Sequence, residues 1–217
     1  HMTMSRPVPT LNLSAYGEVK VAPDMANVNF GVVTEAQTAQ AAMQANAQRM
    51  AQVMAALRRA GIAERDVQTS GLSLQPVYDY RDNQPPVLRA YQATNQVTVI
   101  VNDLNRVGST VDAVVAAGVN QINGIAFSVR DQQTAENAAR EAAVRALQAK
   151  AELYARATGM RLVGLRTLSE GAPMMEQPPQ PMYRMAEIQV TAADATSVAP
   201  GRLTLRVAVQ GVYELAR

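Results

Sequence analysis

LNLSAYGEVKVAPDMANVNFGVVTEA, residues 11–36, decides how the rest of the chain is read. Leu11, Leu13, Ala15, Gly17, Val19 and Val21 alternate with Asn12, Ser14, Glu18 and Lys20, the two-residue period of a strand with one wet face. Ala22-Pro23-Asp24 turns the chain: Pro fixes φ, and Asp bonds its own following backbone. The pattern then resumes, with Ala26, Val28, Phe30 and Val32 against Asn27, Asn29 and Gly31, so the two runs are expected to form a β-hairpin. Near Thr34 the period changes to 3.6. Ala39, Met43, Ala47, Met50, Val53, Met54 and Leu57 fall on one stripe until Gly61 offers a left-handed C-cap, predicting a long amphipathic helix over 36–60.

Strands and helices continue to alternate outward from this stretch. Residues 67–78 read as a strand with Leu72, Leu74 and Tyr78 on one side, and the polar loop 81–86 separates it from a second strand over 91–101. Asp103 is placed to cap a shorter helix carrying Leu104, Val107, Val111, Val114 and Val115, ended by Gly118. A strand over 120–129 follows, with Ile125, Phe127 and Val129 inward. Asp131 caps a second long helix, 131–158, ended by Gly159, whose Ala135, Ala138, Ala142, Ala146, Ala149, Leu153 and Ala157 form a stripe of mostly small residues. Residues 161–170 and 203–213 complete the strands, the last with the cleanest alternation of all.

This order predicts an α+β protein with mixed, mainly antiparallel sheets. Two long amphipathic helices and one shorter helix are expected to pack on one face. Residues 11–217 are expected to form one domain, containing a flexible Met/Pro-rich segment at about 171–199. Residues 1–10 read as a cloning remnant, His1-Met2, followed by a flexible lead. The two long helices, each set between strands, hint at related halves without a residue-level repeat.

The chain has no cysteine, and its one histidine is His1. Ser-His-Asp and Cys-His catalysis, His-ligated zinc, thiolate clusters and thiol redox chemistry are thereby excluded. A formal charge of +2 with scattered arginines gives no stripe suited to nucleic acid, and no apolar run reaches the roughly 18 residues of a transmembrane segment. A thiol-free chain suits an oxidising compartment. The Pro-rich, polar residues 3–9 are of the kind that follows a removed secretory signal.

Gly17-Glu18-Val19-Lys20-Val21-Ala22-Pro23-Asp24, Gly61-Ile62, Asp66-Val67-Gln68-Thr69, Leu74-Gln75-Pro76-Val77-Tyr78, Tyr91-Gln92-Ala93-Thr94-Asn95, Ile122-Asn123-Gly124-Ile125-Ala126-Phe127 and an Ala-rich helix near Lys150 succeed one another along the chain. In order and spacing this set resembles the SIMPL domain family, formerly a domain of unknown function, from about Leu11 to Tyr213. The resemblance implies an exported protein of the periplasm or cell envelope, like the periplasmic immunogenic proteins, with a link to oxidative-stress defence. It supplies no active site.

Three functional readings follow. The first is a non-enzymatic protein acting through self-association as a homo-oligomer, or through an envelope protein partner, by way of the Ala-rich helix face and the Met/Pro loop. It requires no cofactor. The second is a copper or oxidant scavenger built on Met174, Met175, Met182 and Met185, since thioethers are the soft ligands left to a chain without thiols. The third is a hydrolase using carboxylates among Asp24, Asp66 and Asp103, which spacing neither groups nor excludes. Tyr78, Tyr80 and Tyr91 are read as half-buried sheet tyrosines, with an aromatic recognition patch as the other reading.

Overall fold

The computed structural model describes residues 7–178, 198 and 200–217. Its strands are β1 (Thr10–Val21), β2 (Met25–Ala36), β3 (Val67–Asp79), β4 (Val87–Val101), β5 (Gln121–Ser128), β6 (Arg161–Glu170), β7 (Met174–Glu176) and β8 (Leu203–Ala216). Its helices are α1 (Ala39–Arg59), α2 (Val107–Ala116) and α3 (Gln132–Ala157). Among the described residues all strand pairs are antiparallel and fall in two sheets, so the α+β class stands. The chain divides into two compact units, each built on one long helix. The second unit, from Pro23 to Ser128, is inserted in sequence between β1 and α3 of the first.

In the first unit β8 is the central strand, with β1 along one edge and β6 then β7 along the other. Its alternation was legible because every second residue from Leu203 to Leu215 is buried. Those side chains meet α3 around Ala15, Ala139, Ala143, Leu147, Ala151, Val207, Val209 and Tyr213. A Cβ built on Gly17 would stand 2.2 Å from the Ala139 carbonyl oxygen and 2.4 Å from the Ala143 nitrogen, so β1 and α3 approach backbone to backbone. The buried stripe of α3 is Ala135, Ala139, Ala143, Leu147, Ala151 and Ala155, not the expected Ala138, Ala142, Ala146, Ala149, Leu153 and Ala157. Alanine is so frequent on this helix that composition alone does not mark a face. Only the partner strand does.

The cap of α3 is as expected. Asp131 accepts from the Thr134 N–H at 3.2 Å and the Thr134 hydroxyl at 2.7 Å. The hydroxyl bond first, and the backbone bond second, hold its carboxyl below the ordinary carboxylate range, against a smaller opposing effect of desolvation. A folded-state pKa depressed in this way contributes stability that is present above the unfolded pKa and lost as pH falls through the folded one. The stability difference between the parent and Asp131→Ala should therefore be largest near neutrality and shrink below about pH 4. Denaturant titrations at several pH values measure it; a pH-independent difference contradicts the charged cap.

The second unit is the sheet β3–β4–β2–β5, with α1 packed on β2 and β4. Thr38 caps α1, accepting from the Ala41 N–H at 3.1 Å, and the chain leaves through Gly61 at φ +88°. Asn46, which the apolar stripe leaves out, is buried on α1 and donates from Nδ2 to the carbonyls of Val32 (2.9 Å) and Ala93 (3.1 Å). It ties the helix to both strands at once.

The expected β1–β2 hairpin does not form. β1 pairs with β8 and β2 with β4 and β5, so Pro23-Asp24 carries the chain from one sheet to the other. The turn signal was local, whereas each strand's apolar face is covered by a different helix. In the Met/Pro-rich stretch, Met174–Glu176 is ordered as β7 on β8. Residues 179–197 and 199 lie outside the described residues.

Candidate functional site

β2 last pairs at Ala36 with Tyr91, and Tyr91 also faces Pro76 on β3. Beyond this point β3 and β4 continue together as a two-stranded arm, because β4 begins at Val87 and not at the expected Tyr91. At the tip the Gln84 N–H closes onto the Arg81 carbonyl at 3.2 Å, with Asn83 at φ +63° and Pro85-Pro86 stiffening the return. Asn tolerates this left-handed conformation better than other side-chain-bearing residues do.

One face of β3, running from Leu72 and Leu74, where β4 is still paired with β2, out to Tyr78 on the arm, is apolar and bare. Leu72, Leu74 and Tyr78 alternate along β3 and so share a face, and Tyr78 stands opposite Leu88. Leu72 is 52% exposed, Leu74 40%, Tyr78 42% and Leu88 47%, while Val87, 57% exposed, pairs with Asp79 and points to the other face, and Tyr80, 78% exposed, lies beyond the end of β3. Apolar side chains gathered on one exposed face, unlike scattered ones, are what interaction surfaces present. Tyr78 and Tyr80 are thus exposed where half-burial was expected, and only Tyr91 is half-buried. Leu72 and Leu74 were legible as one face of a strand but not as an uncovered one. Val87 and Leu88 were missed altogether. The available signal was Pro76 within the run and Pro85-Pro86 beside it, since proline is confined to edges and strand ends.

Arg89 braces the arm's base, 2.9 Å from Glu35 and 3.8 Å from Asp79. Glu35 and Arg89, with Ala36, Gln37 and Ala90, line an open hollow of about 250 Å³. All three ionic groups are solvent-exposed, so the pairs steer geometry more than they stabilise.

The candidate carboxylates are brought to one end of the second sheet. Asp24 lies two residues before Ala26, whose partner Val101 lies two residues before Asp103, and Asp66 directly precedes Val67 of β3. Their chemistry is local. The Asp66 carboxylate accepts from Asn102 Nδ2 at 3.1 Å, and Asp103 accepts from the Asn105 N–H at 3.0 Å beside Arg106. The Asp24 N–H donates to the Ser128 carbonyl at 3.1 Å. Among the described residues no three His, Cys, Asp or Glu side chains converge to hold a metal ion.

Of the four candidate thioethers, Met174 and Met175 are neighbours on β7. Met174 stands beside Arg206 and is exposed, while Met175 pairs with the buried Leu205. Successive strand residues point to opposite faces, so these two sulfurs do not converge while β7 is formed. Met182 and Met185 lie outside the described residues. A Cu(I) competition titration is expected to give no tight binding, and near-normal assembly is expected when all four are leucine. Stoichiometric submicromolar binding that the leucine variant loses would restore the scavenger reading.

The SIMPL family model, described as a protein of unknown function (DUF541), matches residues 11–213. The chain belongs to the SIMPL family. It is 36% identical over 209 residues to the 26 kDa periplasmic immunogenic protein of Brucella melitensis, covering 92% of this chain and 82% of the relative, with the same figures for the Brucella abortus protein. It is 30% identical over 136 residues to the uncharacterized protein YggE of Escherichia coli, covering 63% of this chain and 55% of the relative. Among the described residues no helix is long and apolar enough to cross a membrane.

Proposed function

We propose that this protein is a non-enzymatic periplasmic protein that acts by self-association, and that the β3–β4 arm is its contact surface. The observation that carries the reading is the bare apolar face from Leu72 to Leu88. Burying a large apolar side chain contributes about 1.5–3 kcal/mol, so the four on this face, Leu72, Leu74, Tyr78 and Leu88, are a strong drive to find a partner. The stiffened tip reduces the ordering that binding costs. The periplasmic location is supported by the names of the Brucella relatives and by the absence of thiols.

Since the chain has no cysteine, a single Leu88→Cys substitution gives one thiol on the arm. Its rate of maleimide labelling should fall as protein concentration rises. A rate independent of concentration, together with a monomer mass throughout, contradicts the reading.

We also infer that residues 11–217 unfold as one cooperative domain despite the two compact units. The first unit is assembled from three separated stretches. The Asp24 N–H to Ser128 carbonyl bond holds the ends of the inserted unit together, so folding of the insert shortens the loop that the first unit must close. A single calorimetric transition is expected, with calorimetric and van't Hoff enthalpies equal; two resolved transitions contradict it.

A further inference from the structure

We propose that Tyr80 at the arm tip of one copy seats in a pocket at the opposite end of β3 in the next copy, so that association runs head to tail. The pocket lies in the second unit where α1 ends, and is lined by Met54, Leu57, Arg58, Ile62, Glu64 and Val67, with a volume of about 230 Å³. That is below the roughly 300–1,000 Å³ of small-molecule sites and suits one large side chain better than a cofactor. Leu57 and Ile62 are its buried walls, and the Ile62 N–H to Leu57 carbonyl bond of 3.0 Å holds them together.

The chemistry of tip and pocket is complementary. Tyr80 is the most exposed of the arm's large apolar residues, and aromatic anchors seated in pockets dominate protein interfaces. It is followed by Arg81 and Asp82, while the pocket presents Glu64 and Arg58, both exposed. Tyr80 seated among Met54, Leu57, Ile62 and Val67 sets Arg81 toward Glu64 and Asp82 toward Arg58. Charge pairs at a rim fix orientation, and the buried ring supplies affinity.

Geometry forces the contact to be between copies. Val67 and Asp79 are the two ends of the 13-residue β3. At about 3.3 Å per residue they stand about 40 Å apart, so no tip reaches its own pocket. Donor and acceptor are different surfaces, which makes the contact heterologous and not a two-fold pairing of like patches.

The inference rests on the self-association reading, and mixing two full-length variants separates them. Tyr80→Ser removes the tip but keeps the pocket, and Met54→Trp fills the pocket but keeps the tip. Each alone should associate about 10–100-fold more weakly than the parent. An equimolar mixture should form a complex of two chains and stop there, since one tip and one pocket remain intact between them. A parent that associates while the mixture does not, or a Met54→Trp variant that assembles like the parent, overturns the tip-in-pocket contact and leaves self-association standing. A monomeric parent overturns both. Should Met54→Trp misfold by circular dichroism, charge reversal decides: Glu64→Arg should weaken association, and adding Arg81→Glu should restore it. Failure of that rescue contradicts the contact.

Discussion

Replacing Gly17 by alanine is expected to lower the thermal unfolding midpoint by about 6–12 °C, or to leave the chain insoluble. The added Cβ would lie 2.2 Å from the Ala139 carbonyl oxygen, 2.4 Å from the Ala143 nitrogen and 2.9 Å from the Ala142 carbonyl carbon, all backbone atoms of α3. None can swing aside as a side-chain end could, so the whole helix must lift from β1. Overpacking of this sort costs about 3 kcal/mol, the upper part of the usual range, at about 2–4 °C per kcal/mol for a chain this long. The same seam predicts the effect of substitutions from the helix side. Ala143→Leu, fully buried, should be comparably damaging, while Ala149→Leu, exposed, should be tolerated. Equal effects from the two leucines would contradict the stripe seen here.

Removing the bare apolar face of β3 and the arm is expected to abolish assembly without unfolding the chain. In a variant carrying Leu72→Thr, Tyr78→Thr and Leu88→Thr, three exposed side chains lose their apolar bulk, yet threonine keeps the β preference of the strands. Buried at an interface, each contributes about 1.5–3 kcal/mol, and neighbouring contributions do not add fully. A combined loss near 4 kcal/mol weakens association about a thousandfold. The unfolding midpoint of the dissociated chain should stay close to that of the parent monomer, since none of the three positions is buried.

The contrast between these sites reflects what a linear pattern carries. β8 was readable from Leu203 to Tyr213 because each alternate residue is buried by the same neighbours. The ends of α1 and α3 were readable because Gly61 and Gly159, both at positive φ, and the Asp131 cap act within one turn. The β1–β2 pairing failed because Pro23-Asp24 specifies a turn and not which sheet receives the strand after it. Ala139 and Ala143 were indistinguishable from Ala138 and Ala142 until Gly17 was placed against them. Leu72 and Leu74 carry the period of a core strand, and periodicity does not report whether anything covers the face. The clustering of Asp24, Asp66 and Asp103 at one end of a sheet came from strand register, which spacing alone does not encode.

The most direct test is sedimentation velocity of the parent and the Leu72→Thr/Tyr78→Thr/Leu88→Thr variant across micromolar concentrations. Self-association through the arm predicts a parent sedimenting as a multiple of the 23.3 kDa chain and a folded variant at 23.3 kDa. A parent that stays at 23.3 kDa throughout, or a variant that assembles as the parent does, contradicts it.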